Sequence, residues 1–487
     1  MPHRRIHHPA PADTPLTRAL RDLRIESHVP PDFPPDVAAE AEAAAKTPTL
    51  PDRDATDIPF FTLDPPASLD LDQAMYLTRA SAGGYRVLYA IADVSAWVHP
   101  HSALDEEAHR RRTTLYFPDT RVPLYPPQLS EAAASLLPDQ PVPALLWQID
   151  LDSTGTVKTA SVERALIRSR ARLDYETAQR RIDENTAEEP LALLRDIGLL
   201  REEQERTRGG LSLGVPEQEI IRRNGRYELE YRAQLPAEGW NAQISLLTGT
   251  VAAELMLQSG TGLLRTLPTA TPAAVDALRR TARALDVEWP RDSEYADVVR
   301  SLNPQRANHA AFLQQCTTVL RGAGYTAFEG GAPADRLHAA VADEYAHVTA
   351  PLRRLADRYA GELALAACAG TEPPGWVLEA LPALPEEMAA GAREAARLER
   401  QCVDLVEAAL MSDRIGEVFE GQVVDVAKNG RGTVQLYEPA VIGRLDPAGG
   451  GAPPLGQRVE VRLTAAEPGV SPVRFESAAT TAAGRSA

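Results

Sequence analysis

The rhythm of hydrophobic and polar positions changes three times along the chain. Residues Thr14–Ile25 and Asp36–Lys46 have helical composition, and the prolines at 30, 31, 34 and 35 separate them. Thr14 followed by Pro15 reads as an N-cap and first helical position. Residues 1–50 therefore read as a short helical segment, too small for an ordinary β-barrel and compatible with a helix-turn-helix-like unit. Strand-like runs and turn signals alternate from residue 51, the clearest being the apolar run Arg86–Asp93. Further on, helical patterns dominate. Pro272–Leu285 and Leu352–Ala369 place apolar residues at spacings of three and four, and Pro385–Ser412 reads as one long closing helix. After Ser412 alternation returns in Val418–Val426, Gly432–Leu436 and Gln457–Leu463, punctuated by Gly430, Gly432 and Gly443. Several short strands in so small a segment predict an antiparallel barrel of OB type. The expected architecture is α+β: a helical segment over 1–50, a central mixed α/β domain over 51–411, an OB-type barrel over 412–476 and a disordered tail over 477–487.

Composition narrows the function classes. A chain of 487 residues exceeds one ordinary core. It has no apolar run approaching the roughly 20 residues of a membrane helix, and its basic start is followed by no apolar segment, so neither a membrane span nor a secretory signal is expected. Cys316, Cys368 and Cys402 are far apart with no CxxC pair, which argues against a disulfide framework or structural zinc and fits a reducing cytosol. A cytoplasmic location follows. The net charge of −17 opposes indiscriminate nucleic-acid binding, although a basic channel on an acidic protein remains effective because remote charge is screened. Lys46, Lys158 and Lys428 are the only lysines among 51 basic residues. Arginine makes bidentate phosphate contacts; codon bias toward arginine is the competing explanation.

The densest chemical signal is the run from Asp64 to Gln73, in which Asp64, Asp70 and Asp72 are set among turn-forming residues. Mg²⁺ prefers oxygen ligands. The Pro65–Ser68 turn lets Asp64 fold back, and in an extended run Asp70 and Asp72 point to one side. Such a site suits metal-assisted phosphodiester hydrolysis; a solvated acidic turn is the alternative by composition alone. His99, His101 and His109 lack an HExxH-type spacing and are not expected to bind metal. No P-loop and no GxSxG motif occur, so neither a nucleotide cofactor nor a serine nucleophile is expected.

Taken together with further blocks downstream, the acidic run resembles the ribonuclease II / ribonuclease R (RNB) exoribonuclease family. The resemblance runs through Asp64–Gln73, Ile91–Ser95, Ser102–Ala108, Tyr116–Asp119, Val122–Leu124, Leu129–Ser130, Ala171–Tyr175 and Tyr345–Arg354 with Asp357, in order, over most of residues 50–410. Gly416–Val424, Gly443–Leu445 and Gly456–Val459 resemble an S1 domain. The resemblance implies that Asp64, Asp70 and Asp72 ligate Mg²⁺, with Mn²⁺ as a substitute. It further implies that Arg353 contacts the scissile phosphate, that Tyr116 stacks on the 3′-terminal bases, and that Arg354, Glu399 and Phe419 contact RNA. Gln73 stands where the family usually has a fourth aspartate; it is a candidate ligand through its carbonyl oxygen, or through water. Arg353 is also expected near a helix N-terminus, because Pro351 reads as the first helical residue. No second stacking aromatic is found near Gly260–Leu263, and no cold-shock barrels precede the catalytic domain.

The function implied is processive 3′-to-5′ hydrolysis of single-stranded RNA to 5′-mononucleotides. The alternative is an RNA-binding protein of the same fold with weak or no catalysis, which Gln73 favours and the set Asp64, Asp70, Asp72 and Arg353 opposes. A deoxyribonuclease is a third, weaker reading.

Overall fold

A computed structural model of the chain describes residues 14–80, 83–211, 217–223, 226–232, 234–303, 306–320, 322–427, 430–436, 438–439, 441–446 and 454–478. The basic start of the chain and most of the expected tail lie outside the described residues. Ser477 itself ends a strand, and the Ala478 amide still bonds to the Glu460 carbonyl.

The two N-terminal helices are α1 (Pro15–Glu26) and α2 (Pro35–Ala44). Thr14 caps α1 reciprocally: its hydroxyl accepts from the Thr17 amide at 3.2 Å, and the Thr17 hydroxyl accepts from the Thr14 amide at 2.9 Å. The segment is not a separate unit. Leu16, Leu20 and Leu23 of α1 share a core with Phe117, Val122, the long closing helix and the C-terminal barrel.

The first half of the central domain is a closed barrel. Its strands are β1 (Arg53–Leu63), β2 (Gln73–Arg79), β3 (Tyr85–Ala92), β4 (Pro141–Leu151) and β5 (Val157–Leu173). Neighbours pair antiparallel in that order, and parallel pairing of β1 with β5 closes the ring. Phe60, Met75, Leu77, Tyr89, Ile91 and Trp147 are fully buried in it. In β3 and β4 burial is nearly continuous, because helices cover the outer face as well. Those helices include α4 (Glu189–Arg208), against β2, and α6 (Leu355–Ala369), against β5. Between β3 and β4 lie α3 (Ala103–Arg111) and a two-stranded ribbon of Leu115–Tyr116 with Arg121–Val122. The helical region from 190 onward is interrupted by ribbons, for example Thr261–Thr266 with Gly324–Glu329, which the helical periodicity does not predict. Between them, α5 (Pro236–Ser259) packs on α4 and α6.

The closing helix α7 (Leu384–Met411) leads into the second barrel: β6 (Val418–Val426), β7 (Gly432–Leu436), β8 (Ile442–Asp446), β9 (Arg458–Glu467) and β10 (Ser471–Ser477). The order β6-β7-β8-β10-β9, closed on itself with β8 and β10 parallel, is the OB arrangement expected. Phe419 corrects one expectation. It is buried, packing edge-on to Phe475 at 6.3 Å between ring centres, so it fills the barrel core and offers no face to a base. Alternation along β6 sends Phe419, Gly421 and Val423 inward. On the other flank Val424 joins the core of the helices between 272 and 320, and Gln315 Nε2 donates to the Val424 carbonyl at 2.9 Å. A Cβ on Gly456 would stand 1.8 Å from the Ala284 carbonyl oxygen, so only glycine admits this approach. Among the described residues no helix is long and apolar enough to cross a membrane.

Candidate active site

The acidic run links the end of β1 to the start of β2 at the rim of the first barrel, and its backbone is pinned along its length. The Asp64 amide donates to the Leu173 carbonyl at 3.1 Å and the Ala92 amide to the Asp72 carbonyl at 2.9 Å. Ser135 accepts from the Leu71 amide at 2.9 Å and donates to the Leu69 carbonyl at 2.6 Å. Leu71, wholly buried between Asp70 and Asp72, anchors the turn in the barrel core.

Asp72 is 4% exposed, a depth of burial that a carboxylate seldom reaches without a partner. Its Oδ1 accepts from the Leu352 amide at 2.8 Å, and its Oδ2 lies 3.2 Å from Arg353 Nε without hydrogen-bond alignment. Burial pushes its pKa up to about 8, making it a weaker acid; Arg353 pulls the other way, while the negative charge of Asp70 adds to the rise. Asp70 accepts from Arg121 Nη1 at 2.8 Å, and Arg121 also reaches Glu131 at 2.7 Å. Asp64 acts electrostatically on Tyr89 of β3.

Residues 351–353 form a turn, and α6 begins only at Leu355 with Arg354 as its N-cap. Arg353 therefore precedes the helix instead of sitting in its first turn. The reason is tertiary: Thr113 Oγ1 and the Thr114 amide hold the Arg353 carbonyl at 2.9 and 3.0 Å. Arg354 is bound bidentately to Asp357, at 2.8 and 2.6 Å, and Asp357 also accepts from the Ala350 amide at 2.8 Å. Its guanidinium is occupied within the protein, so its place in the site is to hold the turn that carries Arg353. Tyr116, on the ribbon, is 54% exposed and stands within electrostatic reach of Arg353, Asp70 and Asp72. One open aromatic face, one cation and the acidic turn are thus brought together from three separate stretches of chain.

Glu399 lies on α7 and acts electrostatically on Cys402, as do Asp119 and Arg24. A residue not singled out in the sequence also approaches this turn: Glu394, on α7, lies 3.7 Å from Arg112, whose carbonyl accepts from the Leu355 amide. Only the packing of α7 reveals it, since glutamates recur along that helix. His347 is half-buried, bonds to the Tyr325 hydroxyl at 2.7 Å, and is held well below the usual histidine range by desolvation and by Arg354. Both ring nitrogens of His109 are engaged, by Glu387 and by Tyr359, each at 2.7 Å. Burial pushes the Cys316 and Cys402 thiols up to about 12, which leaves them inert as nucleophiles.

Among the described residues, no three Asp, Glu, His or Cys side chains are grouped as a ready-made metal cluster. Asp70 and Asp72 are turned toward Arg121 and Arg353, the nearest cations, as partly buried carboxylates must be when only protein charges surround them. The donor chemistry nonetheless fits a hard divalent cation. Asp64, Asp70 and Asp72 offer only oxygen, and a carboxyl driven toward protonation by burial, with a like charge beside it, is one that a cation would stabilise. Gln73 does not fit. Its Nε2 donates to the Thr349 carbonyl at 2.6 Å and its Oε1 accepts from the Tyr89 hydroxyl at 2.5 Å.

Residues 52–367 match the RNB domain family, and residues 417–478 match the RNase II-type exonuclease C-terminal S1 domain. The chain belongs to the RNB family. Ribonuclease R of Escherichia coli is 27% identical over 440 residues, spanning 83% of this chain and 53% of that protein, so the chain covers about half the length of this relative. Among solved structures, Mycoplasma genitalium RNase R in complex with ribose-methylated single-stranded RNA superposes with a TM-score of 0.82 at 20% identity, over 96% of this chain and 78% of that one. Yeast Ssd1, a pseudonuclease, superposes with a TM-score of 0.70 at 18% identity, over 94% of this chain and 57% of that one. These likenesses share the fold, and one of them is a pseudonuclease, so the reaction has to be argued from the RNB site itself. Members of the family depend in general on a metal ion.

Proposed function

We propose that this RNB protein degrades single-stranded RNA hydrolytically and processively from its 3′ end to 5′-mononucleotides, in the cytoplasm, with Mg²⁺ or in its place Mn²⁺. The observation that carries the reading is the buried Asp72 with Arg353 at 3.2 Å beside the exposed ring of Tyr116. Asp64, Asp70 and Asp72 would hold the divalent cation, which supplies activation of water and neutralisation of charge on the phosphate. Arg353, its side chain 38% exposed, is placed to meet charge developing on the phosphoryl oxygens. Tyr116 stacks on a terminal base without regard to sequence, because every base has a π-face. Arg354 and Asp357 hold the turn rigid, so that a phosphate meets Arg353 in a fixed place.

The relation to a ribonuclease R solved with single-stranded RNA supports the substrate. The test is a time course of 5′-labelled single-stranded RNA across a Mg²⁺ series, with a deoxy oligonucleotide alongside. A ladder shortening from the 3′ end, dependent on the cation and confined to RNA, is expected; discrimination would rest on the 2′-hydroxyl. Absence of decay at every Mg²⁺ and Mn²⁺ concentration would favour the second reading, an RNA-binding protein of this fold without catalysis. That reading draws on the engaged amide of Gln73 and on the pseudonuclease of like fold.

A further inference from the structure

Gln73 opens β2 beside the acidic turn, and its amide is held at both ends. The partners dictate which end is which. A main-chain carbonyl can only accept, so Nε2 must face Thr349, and Oε1 then faces a hydroxyl able to donate. Both partners are deeply buried: Tyr89 is wholly enclosed in β3, and Thr349 is 3% exposed. Thr349 continues the chain of contacts, since its hydroxyl lies 2.8 Å from that of Ser245 on α5. Just beyond Thr349 come Leu352, whose amide holds Asp72, and Arg353. Gln73 thus ties β2 and β3 of the first barrel to the turn that carries the guanidinium.

A carboxylate at position 73 could not take this place. It has no donor for the Thr349 carbonyl, and its charge would face the lone pairs of that oxygen. Conversely, an amide whose two ends are already satisfied gains little by turning to a cation, and leaving Thr349 and Tyr89 unpaired in a buried setting costs more than the bonds contribute. Charge points the same way. Asp64, Asp70 and Asp72 carry three negative charges at most; against the guanidiniums of Arg121 and Arg353 one remains, which a single divalent cation more than offsets.

We propose that Gln73 is a positioning residue and not a metal ligand: with Tyr89 and Thr349 it braces the 349–353 turn so that Arg353 stands beside Asp72, and the RNA-free site takes a single divalent cation on Asp64, Asp70 and Asp72. The cation rests on the nuclease reading above; the brace does not.

The test titrates the full chain with Mn²⁺ alone, by calorimetry and by electron paramagnetic resonance of the free ion, and measures single-turnover decay of a short RNA. Wild type is compared with Gln73→Met, similar in length but without hydrogen bonds, and with Tyr89→Phe. One Mn²⁺ per chain is expected in all three. In Gln73→Met the Mn²⁺ affinity should stay within about twofold while the single-turnover rate falls by about tenfold or more, with the Mg²⁺ level for half-maximal rate unchanged. Tyr89→Phe, which removes one oxygen, covers the case in which Gln73→Met does not fold; its rate should fall by about threefold at unchanged Mn²⁺ affinity. Loss of about fivefold or more in Mn²⁺ affinity in Gln73→Met, or a stoichiometry falling from two to one, would make Gln73 a ligand and overturn the proposal. An unchanged rate at unchanged affinity would overturn the brace. If wild type binds one Mn²⁺ but degrades no RNA, the nuclease reading falls alone, because affinity and stoichiometry still decide whether Gln73 is a ligand.

Discussion

Replacing Asp72 with asparagine separates what this carboxylate does for the reaction from what it costs the fold. An aspartate titrates near 3.8 in the unfolded chain, and burial lifts Asp72 to about 8 in the fold. The native state therefore binds this proton more tightly than the unfolded state. The resulting stabilisation is fully present below pH 3.8 and is lost as pH rises through the folded value. Between pH 5 and pH 8, about three pH units at about 1.4 kcal/mol each set a ceiling of roughly 4 kcal/mol. Relaxation around a site whose partner Arg353 is 38% exposed reduces it, so about 1–3 kcal/mol is expected. Asparagine keeps an acceptor for the Leu352 amide and carries no charge to desolvate. In chelator, the melting temperature of Asp72→Asn relative to wild type should thus rise from pH 5 to pH 8, by about 2–5 °C for a cooperative unit of this size. Added Mg²⁺ should narrow the gap in wild type by replacing the proton. The same variant should bind RNA nearly as well as wild type and lose nearly all cleavage. Thermal melts at the two pH values and a gel of labelled RNA measure both. A gap that is equal at pH 5 and pH 8 would refute the buried-carboxylate argument, and cleavage near the wild-type rate would refute the place of Asp72 in the reaction.

Three further outcomes follow from the packing. Tyr116→Ala should weaken binding of single-stranded RNA by about 1–3 kcal/mol while Tyr116→Phe stays near wild type, because stacking needs the ring and not the hydroxyl; equal losses in the two would point to the hydroxyl. Arg24→Ala removes a bidentate pair with Asp119, at 2.6 and 2.9 Å, from the loop joining the two ribbon strands beside Tyr116; a loss of about 1–2 kcal/mol in stability, with KM for RNA raised and kcat kept, is expected, and a fall in kcat alone would contradict it. Deleting residues 413–487 would test whether the second barrel only anchors RNA, but Leu398, Cys402, Val406 and Met411 of α7 share their core with that barrel. Leu398, Val406 and Met411 would each cost about 1.5–3 kcal/mol to expose, so the truncated chain should melt lower and bind a hydrophobic dye; a truncation that melts like the full chain would show the barrel to be separable.

Local patterning and the ordered blocks of motif were enough for much of this protein. The capped helix at Thr14, the closing helix ending at Met411 and the strands Val418–Val426 and Gly432–Leu436 are set by caps, periodicity and glycine punctuation, all of them short-range effects legible in a row of letters. The grouping of Asp70, Asp72, Tyr116 and Arg353 was legible only through the RNB resemblance, since nothing local joins position 72 to position 353. Direction and partnership were decided by tertiary structure. Phe419 turned inward because the barrel closes around it, and Arg353 fell before its helix because Thr113 and Thr114 hold its carbonyl. Arg354 went to Asp357, and α1 into a core with the second barrel. Gln73 shows the division most plainly. The sequence states that a carboxylate is missing, but whether an amide faces a cation or a carbonyl depends on which buried partners lie opposite it, and Tyr89 and Thr349 reach it only once the barrel has closed against the turn before α6.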